Sequence, residues 1–129
     1  MGAGVVKSFR SADNDDGTFN VLSVASEPVS AFNAGDAQLV AASKAFFTGM
    51  ESTSGIRLTH EPQELGTLNG VRSLRIRSSG STQGISTNMV SLFMIHDGHL
   101  IAVNGTVFRA RDSEEYKAAD AAVHSYKPD

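Results

Sequence analysis

The feature of this sequence that most constrains its fold is a hairpin in residues 87–109, which turns at Asp97-Gly98. Both central residues of a two-residue type I′ turn need a positive φ angle, which glycine adopts freely and aspartate tolerates. The residues on either side are mainly β-branched, aromatic or long aliphatic, as is typical of strands. Because a two-residue loop fixes the register, the sequence predicts that His96 faces His99 and that the other pairs follow in order.

Both faces of this predicted hairpin are apolar, since successive side chains on a strand point to opposite sides. One face carries Val90, Leu92, Met94, Ile101, Val103 and Val107. The other face carries Met89, Phe93, Ile95, Leu100, Ala102 and Phe108. A hairpin with one face in water would alternate with polar residues instead. We therefore expect the hairpin to lie in the middle of a sheet, with a layer packed on each side.

Two amphipathic segments are available to form these layers. Residues 36–51 read as a helix with Asp36 in the cap or first turn, followed by Gly55 in a helix-stop position. Residues 113–126 read as a second helix. Asp112 and Glu115 before the second helix resemble a capping box. The apolar stripe of the first helix is interpreted as core, with a lipid or partner groove as the alternative; its residues are Leu39, Val40, Ala42, Phe46, Phe47 and Met50.

The rest of the chain supplies further strands. Strands are predicted at residues 5–10, 18–24, 56–61 and 71–78, with a connection at 25–35, a turn signal at 69–70 and a loop at 79–84. Strands and helices do not alternate strictly, so a doubly wound parallel fold is not expected. The predicted fold class is α+β. A single domain of residues 1–129 would contain an antiparallel sheet of about six strands with a helix on each face.

Composition excludes several classes of function. The net charge of −3 gives no basic footprint for nucleic acid. The absence of cysteine rules out disulfides, cysteine nucleophiles and zinc–thiolate sites. No apolar run is long enough to span a membrane, and the first residues lack a signal-peptide pattern. If a signal peptide has been removed, an extracytoplasmic or periplasmic location is expected.

The histidines are candidate ligands. His96 and His99 should lie on one face with Cβ atoms about 5 Å apart, close enough to share Zn, Ni or Cu if a third ligand were present. We interpret them as exposed turn residues, with metal binding as the alternative. His60 at a strand end is assigned a structural or solvent-facing role. The same role is assigned to His124, which lies four residues after Asp120 and can pair with it on the helix surface.

No motif for catalysis is present. Serines occur without a G-x-S-x-G or S-x-x-K pattern. A hydrolase built from distant residues would need a serine hydroxyl within hydrogen-bond reach of a histidine. The acidic cluster of Asp13, Asp15 and Asp16 lacks the spacing of an EF-hand and is interpreted as a solvated turn. Gly105, in the strand sequence Asn104-Gly105-Thr106, predicts a close approach of a helix or ring, and that sequence is interpreted as a chance glycosylation match.

Arginines form a modest basic strip along the predicted strands, at Arg72, Arg75, Arg77, Arg109 and Arg111. Arg75 and Arg77 share a face, because they alternate with Leu74 and Ile76. A solvated face with counter-ions is the ordinary interpretation, and a site for an anion or an acidic partner is the functional one. The predicted partner-binding residues are therefore Arg72, Arg75, Arg77, His96 and His99. No catalytic, metal or cofactor-binding residues are predicted.

The second half of the chain resembles the PsbP-like superfamily, which includes a photosystem extrinsic subunit, a Ran-binding nuclear import factor and small bacterial lipoproteins. The resemblance is carried by L-N-G-V-R-S-L-R-I-R (68–77), N-M-V-S-L-F-M-I (88–95), H-D-G-H-L-I-A-V-N-G-T (96–106) and the closing segment 113–126. The chain departs from the family in having no tryptophan and no early P-x-G-W-like stretch. The resemblance implies an α/β/α sandwich and brings no catalytic residues.

This resemblance and the missing catalytic motifs favour a non-enzymatic binding or adaptor domain. We expect a bacterial, envelope-associated protein, such as a lipoprotein, that docks a protein or envelope partner without a cofactor. The alternative is a small-molecule or metal-binding protein that uses a pocket between sheet and helix or the turn at His96 and His99.

Overall fold

The computed structural model describes residues 5–10, 21–28, 35–54, 57–68, 70–82, 84–110 and 112–126. In chain order the elements are β1 (Val5–Arg10), β2 (Val21–Pro28), α1 (Asp36–Ser54), β3 (Leu58–His60), β4 (Glu64–Leu68), β5 (Val71–Thr82), β6 (Ile85–His96), β7 (His99–Val107) and α2 (Glu114–His124). Several features that were predicted from sequence lie outside the described residues: the acidic turn around Asp15, the helix stop at Gly55 and the side chain of Arg111.

All the strands belong to one antiparallel sheet, in the order β1-β2-β7-β6-β5-β3, with β4 also paired to β5. The β6–β7 hairpin lies in the middle of it. His96 pairs with His99, and the register continues through Ser91 and Asn104 as predicted. Asp97 has a φ angle of 51° and Gly98 one of 73°, so the turn has the two positive angles that a type I′ turn requires.

Each face of the hairpin is covered by a helix, so the predicted α+β sandwich is confirmed. On one face, Leu39 and Phe47 of α1 pack with Phe93 and other residues from β5, β6 and β7. On the opposite face, Val123 of α2 packs with a second apolar set, Val90, Leu92, Met94, Ile101 and Val103. The division of side chains between the two cores follows the alternation along β6 and β7.

Gly105 of β7 marks the place where α2 comes closest to the sheet. A Cβ atom at this position would lie 3.2 Å from Ala119 Cβ and 3.3 Å from Val123 Cγ2. The predicted close approach is therefore confirmed, and the approaching element is a helix. The neighbouring Asn104 is only 5% exposed, as expected for a buried strand.

The structure corrects several predicted boundaries. Residues 79–82, predicted as a loop, continue β5, and Ser79 pairs with both Asn88 and Thr59. The connection predicted at 25–35 begins later, because β2 runs to Pro28 along β7. Backbone hydrogen bonds to neighbouring strands outweigh the weak strand propensity of these Ser-, Gly- and Ala-rich stretches. Strand β4 was not predicted.

The helix ends also differ from prediction. α1 continues to Ser54, three residues beyond the predicted end at residue 51. The cap of α2 is Ser113, whose hydroxyl oxygen accepts a hydrogen bond from the Tyr116 backbone N–H at 3.1 Å. Asp112 is therefore one residue too early to be the cap.

Candidate functional site

The predicted basic strip is divided between the two sides of the sheet. Along β5, Arg72 lies on the α1 side with Leu74 and Ile76, whereas Arg75 and Arg77 lie on the α2 side. β4 pairs with the outer edge of β5, so it lies next to the arginines on both faces of the sheet. The predicted partner-binding arginines thus flank one edge of the sheet.

On the α2 side, the two arginines belong to a cluster of five side chains, which we call the α2-side cluster: Glu64, Arg75, Arg77, Asp120 and His124. Arg75 Nη2 donates to Glu64 Oε2 at 2.6 Å, and Arg77 Nη1 donates to Glu64 Oε1 at 3.4 Å. Arg77 Nη2 also donates to Asp120 Oδ1 at 3.2 Å. The cluster therefore ties β4, β5 and α2 together.

His124 is held between two partners of fixed polarity. Its Nδ1 lies 2.6 Å from the Asp120 backbone carbonyl oxygen, which only accepts. Its Nε2 lies 2.9 Å from Arg75 Nη1, which only donates. These contacts assign the neutral tautomer with the proton on Nδ1, in agreement with the predicted pairing of His124 with Asp120. With a neutral imidazole, the cluster holds two positive and two negative charges.

Glu64 is the exposed member of the α2-side cluster. Its side chain is 56% exposed, against 29% for Arg75 and 22% for Arg77. The hydrogen bond from Arg75, together with the positive charge of that guanidinium, holds the pKa of Glu64 below its usual value. Another carboxylate approaching from solvent would therefore meet two arginines whose present partner is itself in contact with water.

On the α1 side, Arg72 forms a bidentate ion pair with Asp36, the first residue of α1. Its Nε donates to Oδ1 at 3.0 Å, and its Nη2 donates to Oδ2 at 2.9 Å. The hydrogen bonds from Arg72 lower the pKa of Asp36, and the same contact raises the pKa of Arg72. The pair is exposed on both sides and connects β5 to the start of α1.

Leu65 is the one large apolar side chain that is exposed among the described residues, with 41% of its surface in contact with solvent. It lies on β4 opposite Leu74. Its strand neighbour Glu64 points to the other side, into the α2-side cluster. Sequence reasoning missed this residue, because the only local signal was the turn at 69–70 and β4 was not recognised.

The hairpin tip carries the other predicted partner-binding residues. His96 is half-buried and His99 is exposed, with its Nδ1 2.9 Å from the Asp97 carbonyl oxygen. Within the described ranges, no group of three or more His, Cys, Asp or Glu side chains is suitably placed for a metal ion. His96 and His99 alone would supply two ligands, whereas structural zinc sites use four.

A serine–histidine contact occurs at a different position, between β5 and β3. His60 Nδ1 lies 2.6 Å from Ser78 Oγ, and His60 Nε2 lies 3.4 Å from Glu51 Oε1. The order of groups resembles that of an activated serine nucleophile. However, Ser78 has no exposed surface, and a nucleophile must be able to reach a substrate. The contact therefore satisfies a buried hydroxyl and links α1, β3 and β5.

Comparisons with known proteins identify the fold only. No protein-family model and no curated protein matches the chain. Among solved structures, a Pseudomonas aeruginosa protein of unknown function, named as a candidate regulator, is similar with a TM-score of 0.64 and 10% identity, covering 100% of this chain and 86% of that chain.

In addition, no helix in the described part of this chain has the length and apolar character needed to cross a membrane.

A second solved structure is the cyanobacterial PsbP protein (CyanoP) from Synechocystis sp. PCC 6803. It has a TM-score of 0.60 and 9% identity, with 95% of this chain and 91% of that chain covered. The similarity extends over nearly the whole of both chains. The chain therefore has the PsbP-like fold.

Proposed function

We propose that this protein is a non-enzymatic binding domain that docks a partner protein along the β4 edge of its sheet. The observation that carries this proposal is the exposed side chain of Leu65, which lies between two sets of arginine ion pairs. Arginine is enriched at interaction hot spots, and the exposed Leu65 adds apolar surface that a partner would bury. Arg72 and Asp36 form the rim on one side, and the α2-side cluster forms it on the other.

The arginines that now pair with Glu64 allow this surface to bind an acidic partner. A carboxylate of the partner can replace Glu64 on Arg75 and Arg77, because Glu64 is largely in water and the arginines are held by β5. Arg77 would keep its contact with Asp120 during this exchange. The cost of breaking the internal ion pair is small, since exposed ion pairs contribute only about 0–1 kcal/mol.

The proposed setting is the bacterial envelope. It is supported by the resemblance of the sequence to a superfamily that includes bacterial lipoproteins, and by the bacterial source of the two solved structures named above. The hairpin tip at His96 and His99 is a secondary contact region in this proposal. The buried position of Ser78 supports the non-enzymatic assignment.

Affinity capture with three variants tests the docking surface. Leu65→Ser removes the apolar anchor, and Arg77→Ala removes one arginine of the rim. Lys117→Ala is the matched control, because Lys117 is an exposed α2 residue with a surface ion pair of its own. We expect a protein retained by the wild type and by the control to be lost or reduced about thirtyfold or more with each of the other variants, since truncating a hot-spot residue costs ~2 kcal/mol or more.

Circular dichroism would show that each variant is folded. If Leu65→Ser retains every partner that the wild type retains, the β4 edge is not the docking surface.

A further inference from the structure

A groove of about 610 Å³ lies between α1 and the half of the sheet formed by β2 and β7. It exists because α1 packs chiefly over β5 and β6. The groove is on the α1 side of the sheet, and β4 pairs with the far edge of β5, beyond the helix. It is therefore separate from the proposed docking surface.

Small side chains keep this groove open. Five alanines line it, namely Ala25, Ala41, Ala42, Ala45 and Ala102. Where the same helix faces β5 and β6, larger side chains such as Leu39 and Phe47 fill the space and are buried. The alanine-lined half of this layer therefore leaves an open groove, whose volume is within the range typical of small-molecule sites, about 300–1,000 Å³.

The chemistry of the lining restricts what the groove accepts. No charged side chain is among the described residues that line it, and Phe46, Phe93 and Leu100 make its inner wall apolar. The rings of Phe46 and Phe93 meet edge to face with centroids 5.6 Å apart. Burying an ion here without a partner would be costly. The inserted part of a ligand must therefore be uncharged.

Two polar side chains complete the lining. Gln38 and Ser26 offer an amide and a hydroxyl, which suit one hydroxyl or carbonyl group of a ligand. Ala41 and Ala45 are exposed, so the groove is open to solvent along α1. A protein partner would need a wider surface, since specific interfaces use about 20–30 residues a side and ten described residues line this groove.

From these features we infer that the groove binds one uncharged aliphatic molecule with a single polar group, such as a fatty alcohol or an acyl ester. The apolar chain lies over the alanines between α1 and the β2–β7 floor. The polar group is bound by Gln38 or Ser26. This function is additional to partner docking and does not depend on it.

Decanol, used below its solubility limit, is the probe for this site, and decanoate is its charged counterpart. Ala41→Phe fills the groove from an exposed position of α1, and Ala37→Phe places the same side chain on α1 at an exposed residue that does not line the groove. Thermal unfolding and calorimetry would measure binding. We expect decanol to raise the Tm of the wild type and of Ala37→Phe. We expect Ala41→Phe to weaken binding about tenfold or more, because excluding about two methylene groups of the chain from the groove is enough for that loss.

Several results would overturn the inference. These are the absence of a Tm increase for the wild type with decanol, equal binding by Ala41→Phe, and binding of decanoate as tight as that of decanol. A wild-type dimer that Ala41→Phe converts to a monomer would instead assign the groove to a second copy of the chain. If Ala41→Phe does not fold, Ala45→Leu applies the same test at another exposed groove residue.

Discussion

His124 shows how a single residue can fit a site only in one chemical state. Its two ring nitrogens meet a carbonyl oxygen and a guanidinium N–H, so only the neutral ring with a proton on Nδ1 satisfies both. A neutral ring beside two arginines also avoids adding a third positive charge to the α2-side cluster. His124 thus positions Arg75 while leaving the charges of the cluster balanced.

Two carboxyl groups give the protein a defined response to acid. The pKa values of Asp36 and Glu64 lie below their usual values of 3.8 and 4.5, because Arg72 and Arg75 donate to them. A carboxyl group whose pKa is lower in the folded protein than in the unfolded chain stabilises the fold. This stabilisation is fully present above the pKa of the unfolded chain and is lost as the pH falls through the pKa of the folded protein. We expect the free energy of unfolding to decrease with falling pH below the usual values of these two groups.

Arg72→Gln tests this response for Asp36. The variant should bring the pKa of Asp36, measured by NMR titration, back toward 3.8, and it should weaken the dependence of the free energy of unfolding on acid pH. Lys117→Gln, which breaks the exposed pair with Glu114, is the control and should leave the Asp36 titration unchanged. An unchanged Asp36 titration in Arg72→Gln would show that the ion pair does not form in solution.

At the scale of elements, the contact between α2 and β7 depends on the absence of a side chain at Gly105. A Cβ atom there would approach Ala119 and Val123 more closely than side chains usually do. Gly105→Val adds two further methyl groups to the same space and should lower the free energy of unfolding by about 1–3 kcal/mol, as overpacking does. Urea denaturation would measure the change.

Gly66→Ala is the control for this effect, because nothing lies within 4 Å of a Cβ atom at that position of β4. It should change the stability by no more than about 0.5 kcal/mol, as most surface substitutions do. If Gly105→Val and Gly66→Ala have equal effects, α2 does not pack against Gly105 as described.

The elements that sequence predicted well are those whose signals are local. The Asp97-Gly98 turn fixed the register of β6 and β7, and helical spacing located α1 and α2. The elements it missed are stabilised by distant partners. The last residues of β5 are Ser, Gly and Thr, a composition that predicts a loop. In the structure they pair with β6 and β3 instead. β4 likewise exists because β5 offers it an edge.

For the whole molecule, the candidate site was predictable only in part for the same reason. Alternation along β5 placed Arg75 and Arg77 on one face. Their partners come from other elements: Glu64 lies 11 residues before Arg75, and Asp120 lies 43 residues after Arg77. The groove beside α1 depends on where the helix lies over the sheet. Periodicity marks the apolar face of a helix, and it does not specify which strands that face covers.

The three-layer arrangement predicts how substitutions in the two cores combine. Ile76 lies in the core beneath α1 and Ile101 in the core beneath α2, so the sheet separates them and they share no packing partner. Ile76→Val and Ile101→Val should each lower the free energy of unfolding by about 0.5–1.5 kcal/mol. Because distant sites without shared partners act independently, the double variant should equal the sum within about 0.5 kcal/mol.

A pair within one core provides the comparison. Ile101→Val combined with Val123→Ala changes two residues of the same apolar set. Neighbours that share a cavity or packing partners couple by about 0.5–3 kcal/mol, so the effect of this pair should depart from the sum of the single effects. Guanidinium denaturation of the single and double variants measures both cycles. Two results together would mean that the sheet does not divide the protein into two separately packed layers. These are strong coupling between Ile76 and Ile101, and additive effects of Ile101→Val and Val123→Ala in the core beneath α2.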